Sequence, residues 1–259
     1  MFYFPQLKRF DFIFFRIEVY RTFAYLATLV GIFLVFHEAK KRKLNKRDMF
    51  YLILFSIVGI IAGARLFYYF GPWTWNRSYT FFQRIIKFFM FWRSGLVLYG
   101  GLLGAVLSIY SYCKFKKINF WKYSDVFALY FPIILSIARL GCFVSNDSCR
   151  GKPTNLPWAI VRYSNTKIIT EPLHPARLYI IANLLVLFFI LRWLDKKKRY
   201  DGFLTLFVLM YYSATRFAIE FFRSYNWYLF GFLTASQIVS IFVFSISFFV
   251  FYKKNRASF

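Results

Sequence analysis

Arg139-Leu140-Gly141-Cys142-Phe143-Val144-Ser145-Asn146-Asp147-Ser148-Cys149-Arg150-Gly151-Lys152-Pro153-Thr154-Asn155-Leu156-Pro157-Trp158 leaves the end of a long apolar run and enters a polar segment rich in Gly, Asn, Asp and Pro. Neither helix nor strand periodicity continues through it, so it reads as a loop, extending over 144–173. An arginine within a hydrocarbon-spanning segment costs about 2.5 to 3.5 kcal/mol at the helix centre, and such residues mark functional sites by default. Arg139 therefore calls for an anion or a wet cavity, or must reach outward to the interface along its own stem.

The surrounding composition sets the class. Of 259 residues, 59% are hydrophobic and 25% aromatic, which points to a polytopic membrane protein and is too apolar for a soluble core of this size. The formal net charge of +25 could suggest nucleic acid. The basic residues instead alternate with membrane-length apolar runs, the pattern of charge that fixes topology and touches anionic lipid, so no nucleic-acid partner is expected. Cys113, Cys142 and Cys149 do not form a disulfide framework; Cys142 and Cys149 could pair across the loop if it faces an oxidising space. No cleaved signal peptide is expected at the N-terminus.

Outward from the loop, the apolar runs predict an all-α membrane protein organised as one polytopic domain over 1–259. Seven spans are expected, at about 19–36, 49–70, 94–112, 125–143, 174–194, 203–222 and 233–252. Residues 1–17, with aromatics among Lys8, Arg9 and Arg16, read as an interfacial segment, and the charged aromatic stretch 73–93 should lie on the membrane without crossing it. Pro132 predicts a kink in the fourth span. The loops at 38–48, 114–124 and 195–201 and the C-terminal tail carry most of the lysine and arginine, which places the N-terminus outside and the C-terminus in the cytoplasm.

In that topology Tyr20, Tyr99 and His174 start inward spans, and Arg65, Arg139, Arg216 and Glu220 end outward ones. All fall in the outer half of the membrane, below the polar loop. Each has a plainer reading: Tyr20 and Tyr99 as belt aromatics, His174 as a helix-start contact, Arg65 as an interfacial arginine, Arg216 and Glu220 as a pair satisfying itself four residues apart. Taken together, several arginines at one depth suit phosphate recognition, because guanidinium stays charged and binds phosphate bidentately. The abundant phosphate at that depth belongs to membrane lipid, so a phospholipid-handling site is inferred.

Along nearly its whole length the chain also resembles the prolipoprotein diacylglyceryl transferase family. The resemblance is carried by Arg139-Leu140-Gly141-Cys142-Phe143 through Asp147, Cys149, Gly151-Lys152-Pro153-Thr154 and Pro157-Trp158. His174-Pro175 with Leu178-Tyr179 forms a second motif, and Arg216-Phe217, Glu220-Phe221 and Arg223 a third. Tyr20, Gly63-Ala64-Arg65-Leu66 and Tyr99-Gly100-Gly101 fall in register.

The resemblance implies transfer of the diacylglyceryl group of phosphatidylglycerol to the lipobox cysteine thiol of a preprolipoprotein signal peptide, in a bacterial cytoplasmic (inner) membrane, without metal or organic cofactor. It implies Arg139, Arg216 and Tyr99 as catalytic residues, and Tyr20, Arg65, Gly100, Gly101, Cys142, Asp147, Gly151, His174, Tyr212 and Glu220 as substrate-binding ones. Tyr99 stands where some members have histidine; a phenol ordinarily titrates at about 10, whereas a thiol at about 8.5 needs little help to ionise. Arg21, Arg150 and Ile180 also depart from the usual pattern. Two alternatives stay open at this level: a lipid-binding or transport protein on the same scaffold, and a transferase with another acceptor.

Overall fold

The computed structural model describes residues 2–5, 9–11, 16–70, 80–90, 97–145, 151–164, 167–168, 170–197, 200–224, 228–229 and 232–257. Seven long helices among them coincide with the seven expected runs: α1 Val19–Lys41, α2 Lys46–Phe70, α4 Leu98–Lys116, α5 Phe120–Ser145, α6 Ala176–Asp195, α7 Phe203–Glu220 and α8 Ala235–Ala257. The short helix α3, Phe81–Phe89, falls within the stretch expected on the membrane surface. Five of them, α1, α2, α5, α6 and α8, are long and apolar enough to cross a bilayer. α4 carries Gly100, Gly101, Gly104 and Ser108, and α7 carries Arg216 and Glu220. The chain is therefore a multi-pass, mainly helical membrane protein.

It divides into two compact units, one made of Met1–Val35 with Ser124–Phe259 and the other of Phe36–Tyr123. In the larger unit, Ala128, Leu129 and Tyr130 of α5, Leu187 and Leu191 of α6, and Leu204 and Val208 of α7 form one buried cluster, against which Leu34 of α1 packs. The helix α5 runs unbroken through Pro132. Asp125, fully buried, accepts hydrogen bonds from Gly202 N (2.9 Å), Thr205 N (3.0 Å) and Thr205 Oγ1 (2.8 Å). It thus satisfies the open amides at the start of α7 from a neighbouring helix. Gly202, with φ of 94°, makes the left-handed turn that brings those amides to it.

The loop expected to lack strands contains two. β1 (Phe2–Pro5) pairs in parallel with β4 (Ile160–Ser164), which pairs antiparallel with β5 (Lys167–Ile168). Phe2 and Tyr3 face Ile160 and Val161 in register, aromatic and β-branched residues suited to a pleated surface. The reading as unstructured loop missed this because β4 finds its partner at the far end of the chain. Among the described residues, β2 (Arg9–Asp11) also pairs antiparallel with β3 (Arg16–Glu18), and β6 (Tyr228–Leu229) with β7 (Leu233–Thr234).

In the smaller unit α2 lies against α4 with glycines at the contact. A Cβ on Gly63 would run into the Gly100 carbonyl, and one on Gly104 into that of Gly59. Small residues let helix backbones approach this closely, where dispersion and polar contacts drive association in lipid. Toward the other end, the Tyr112 hydroxyl donates to Asp48 Oδ1 at 3.0 Å.

Candidate functional site

In the larger unit the polar residues gather at the ends of α5 and α7 and the start of α6. Arg139 lies half-buried in the last turns of α5. Two residues on, a Cβ at Gly141 would strike the side chain of Phe23, so this glycine admits α1 close to α5. Tyr20 stands exposed in the first turn of α1. The carbonyl of Cys142 accepts a hydrogen bond from Nη1 of Arg177, a buried arginine and the second residue of α6. A cation there complements the open carbonyls and negative dipole end of α5.

Beyond the helix, Gly151 bridges to Arg223, and a Cβ on Gly151 would occupy the place of the His174 carbonyl oxygen. Lys152 N donates to Phe222 O and His174 N donates to Lys152 O, both at 2.9 Å. The loop after Gly151, the entry to α6 and the exit from α7 are thereby laced together by backbone hydrogen bonds. His174 sits inside an aromatic group: its Nδ1 is 3.3 Å from the Tyr179 hydroxyl, which accepts the Trp158 indole N–H at 2.8 Å. The ring of Phe222 stands edge-on to both His174 and Tyr179.

At the end of α7 one carboxylate holds two arginines. Glu220 Oε2 is 3.0 Å from Arg216 Nη1, and Arg223 Nη1 donates to Glu220 Oε1 at 3.0 Å and Oε2 at 2.7 Å. The Glu220 carboxylate is wholly buried and the two guanidiniums are nearly so. Arg216 Nη2 also donates to Ser236 Oγ on α8, at 3.4 Å. Two cations on one anion leave a net positive charge in a weakly screened setting, which favours an anionic ligand. Tyr212, one turn before Arg216, packs edge-on against Phe131.

In the smaller unit Tyr99, Gly100 and Gly101 open α4. Gly101 lies against Ile60 and Ala64 of α2. Arg65, only 2% exposed, donates from Nη1 to Phe88 O at 2.9 Å and from Nη2 to Met90 O at 2.7 Å. Both terminal nitrogens of this expected substrate ligand are thus directed to the end of α3. Asp147 and Cys149 lie outside the described residues, so Asp147's part in the loop and the pairing of Cys149 with Cys142 do too.

Sequence reasoning paired Arg216 with Glu220 but missed three participants. Arg177 carried the same signal as Arg139, a cation in an apolar run. Arg223 belonged to a quoted motif without a role, and Ser236 had no signal at all.

A family profile described as prolipoprotein diacylglyceryl transferase matches residues 8–253. Similar curated proteins, each named phosphatidylglycerol--prolipoprotein diacylglyceryl transferase, come from distant bacteria. That of Bordetella parapertussis is 31% identical over 206 residues, covering 76% of both chains. That of Prochlorococcus marinus is 30% identical over 257 residues, covering 90% of this chain and 86% of the relative. That of Clostridioides difficile is 32% identical over 214 residues, covering 82% and 81%.

Proposed function

Since the chain belongs to the prolipoprotein diacylglyceryl transferase family, we propose that it moves the diacylglyceryl group of phosphatidylglycerol onto the lipobox cysteine of a preprolipoprotein. The match over residues 8–253 carries this reading. The thiolate sulfur attacks the CH2 carbon that bears the phosphate ester. A carbon–sulfur bond forms, the carbon–oxygen bond breaks, and glycerol phosphate leaves with the bonding electron pair.

The charge balance of that step says what the site must do. The phosphodiester enters with one negative charge and departs as a monoester with two, while the thiol loses its proton. Negative charge therefore grows on the phosphate as the reaction proceeds, and a fixed cation there binds the transition state better than the substrate. Arg139 is assigned to the phosphate and the departing dianion. Arg216 assists, with Glu220 fixing its guanidinium and Tyr212 flanking it. Tyr99 is assigned to catalysis, and the thiol, which ordinarily ionises at about 8.5, releases its proton to water. Tyr20, Gly100, Gly101, Cys142, Asp147, Gly151 and His174 are assigned to substrate binding on the family's motifs.

The reaction would take place at the outer face of a bacterial inner membrane, with all seven long helices spanning it, the N-terminus outside and the C-terminus in the cytoplasm. At 1.5 Å per residue the 19 residues of α4 and 18 of α7 reach about 28 and 27 Å, close to a hydrocarbon thickness of about 30 Å. Lys40 and Lys41 in the last turn of α1 and Lys254 and Arg256 in that of α8 support this orientation.

The test follows glycerol phosphate released from phosphatidylglycerol vesicles carrying the purified protein and a lipobox peptide. Release in proportion to peptide modified is expected. Peptide-independent release, or none, would overturn the assignment.

A further inference from the structure

The tripeptide Gly63-Ala64-Arg65 makes three different attachments within the smaller unit. Gly63 lets the backbone of α4 approach at Gly100. The Ala64 carbonyl accepts a hydrogen bond from Val97 N, the residue before α4, at 3.1 Å. Arg65 donates to Phe88 O and Met90 O at the end of α3. One turn of α2 thus holds both the exit of α3 and the entry of α4.

α3 is a short, exposed element. It is nine residues long with none buried, and Phe81, Phe82, Ile86 and Phe89 are well exposed. A helix this short is not stable on its own in water. At its front the Phe81 ring meets Phe70 of α2 at a centroid distance of 6.2 Å. The last carbonyls of a helix have no partners within it, and a cation there is favoured by the dipole. Arg65 meets both needs with a planar fork that reaches two carbonyls at once, a geometry lysine cannot copy.

We propose that Arg65 is a positioning residue: it clasps the end of α3 to α2, and with Ala64 and Gly63 sets the first turn of α4, which carries Tyr99. Arg65 acts through these two helices and not by touching lipid phosphate. The kinetic part of this inference rests on the transferase reading; the structural part does not.

The experiment is hydrogen–deuterium exchange on the full-length protein in phosphatidylglycerol-containing nanodiscs, combined with steady-state kinetics, for wild type, Arg65→Gln and Arg65→Lys. Exchange across 81–90 should quicken at least ten-fold in Arg65→Gln, and also in Arg65→Lys, with α7 and α8 unchanged. The kcat should fall at least ten-fold while the KM for phosphatidylglycerol stays within two-fold. If Arg65→Gln fails to insert, Arg65→Lys keeps the cation and carries the same test. A raised KM with wild-type exchange over 81–90 would make Arg65 a direct lipid ligand and overturn the clasp. Unchanged exchange and unchanged kinetics would overturn it as well. If wild type shows no turnover, the transferase reading fails and exchange alone decides the clasp.

Discussion

The carboxylate of Glu220 stands 3.0 Å from Nη1 of Arg216, one turn earlier on α7, and none of that carboxylate side chain is exposed. The same carboxylate binds Arg223. Removing one partner of a buried ion pair leaves charge uncompensated, typically at about 3 to 5 kcal/mol. Glu220→Gln leaves two guanidiniums facing a neutral amide. We expect thermal unfolding in detergent to show a loss of about 3 kcal/mol, with turnover falling at least ten-fold because Arg216 loses its anchor. Wild-type stability in this variant would remove Glu220 from its central place.

Arg139 is assigned to a ligand and not to a packed core. Arg139→Ala should cost turnover by about 10²- to 10³-fold, the range seen when one preorganised donor to a developing anion is removed. Helical circular dichroism should stay as in wild type. Arg139→Lys keeps charge without the fork and should fall between the two.

The close α2–α4 contact makes graded predictions for two glycines of α4. Gly104→Leu drives a side chain into the Gly59 backbone and should destabilise by about 1 to 3 kcal/mol. Gly101→Ala meets Ile60 and Ala64 at 3.3 to 3.5 Å and should cost much less. Thermal unfolding of the two variants side by side checks this.

Asp125 accepts hydrogen bonds from the start of α7. Asp125→Ala loses at least these three hydrogen bonds and orphans one buried and one half-buried amide, so about 2 kcal/mol of stability should go. The KM for phosphatidylglycerol, measured below the melting range, should stay as in wild type.

Much of this could be read from the chain because hydrophobic run length is a local property. Each expected run coincides with a helix, and the spacing of Arg216 and Glu220 alone placed them on one face. What escaped depends on partners distant in sequence. β4 is recognisable as a strand only beside Phe2 and Tyr3. Nothing local reveals that the fork of Arg65, expected among the substrate-binding residues, meets Phe88 and Met90. Arg177 was visible as a cation in an apolar run, but its bond to the Cys142 carbonyl needs the packing of α6 on α5.

The most direct measurement is the mass of a lipobox peptide after incubation with the purified protein and phosphatidylglycerol. The account predicts a gain of one diacylglyceryl unit, stable to mild base as a thioether is, and absent when the peptide cysteine is replaced by serine. An unmodified cysteine peptide, under conditions where a control transferase modifies it and this protein binds the lipid, would contradict the account.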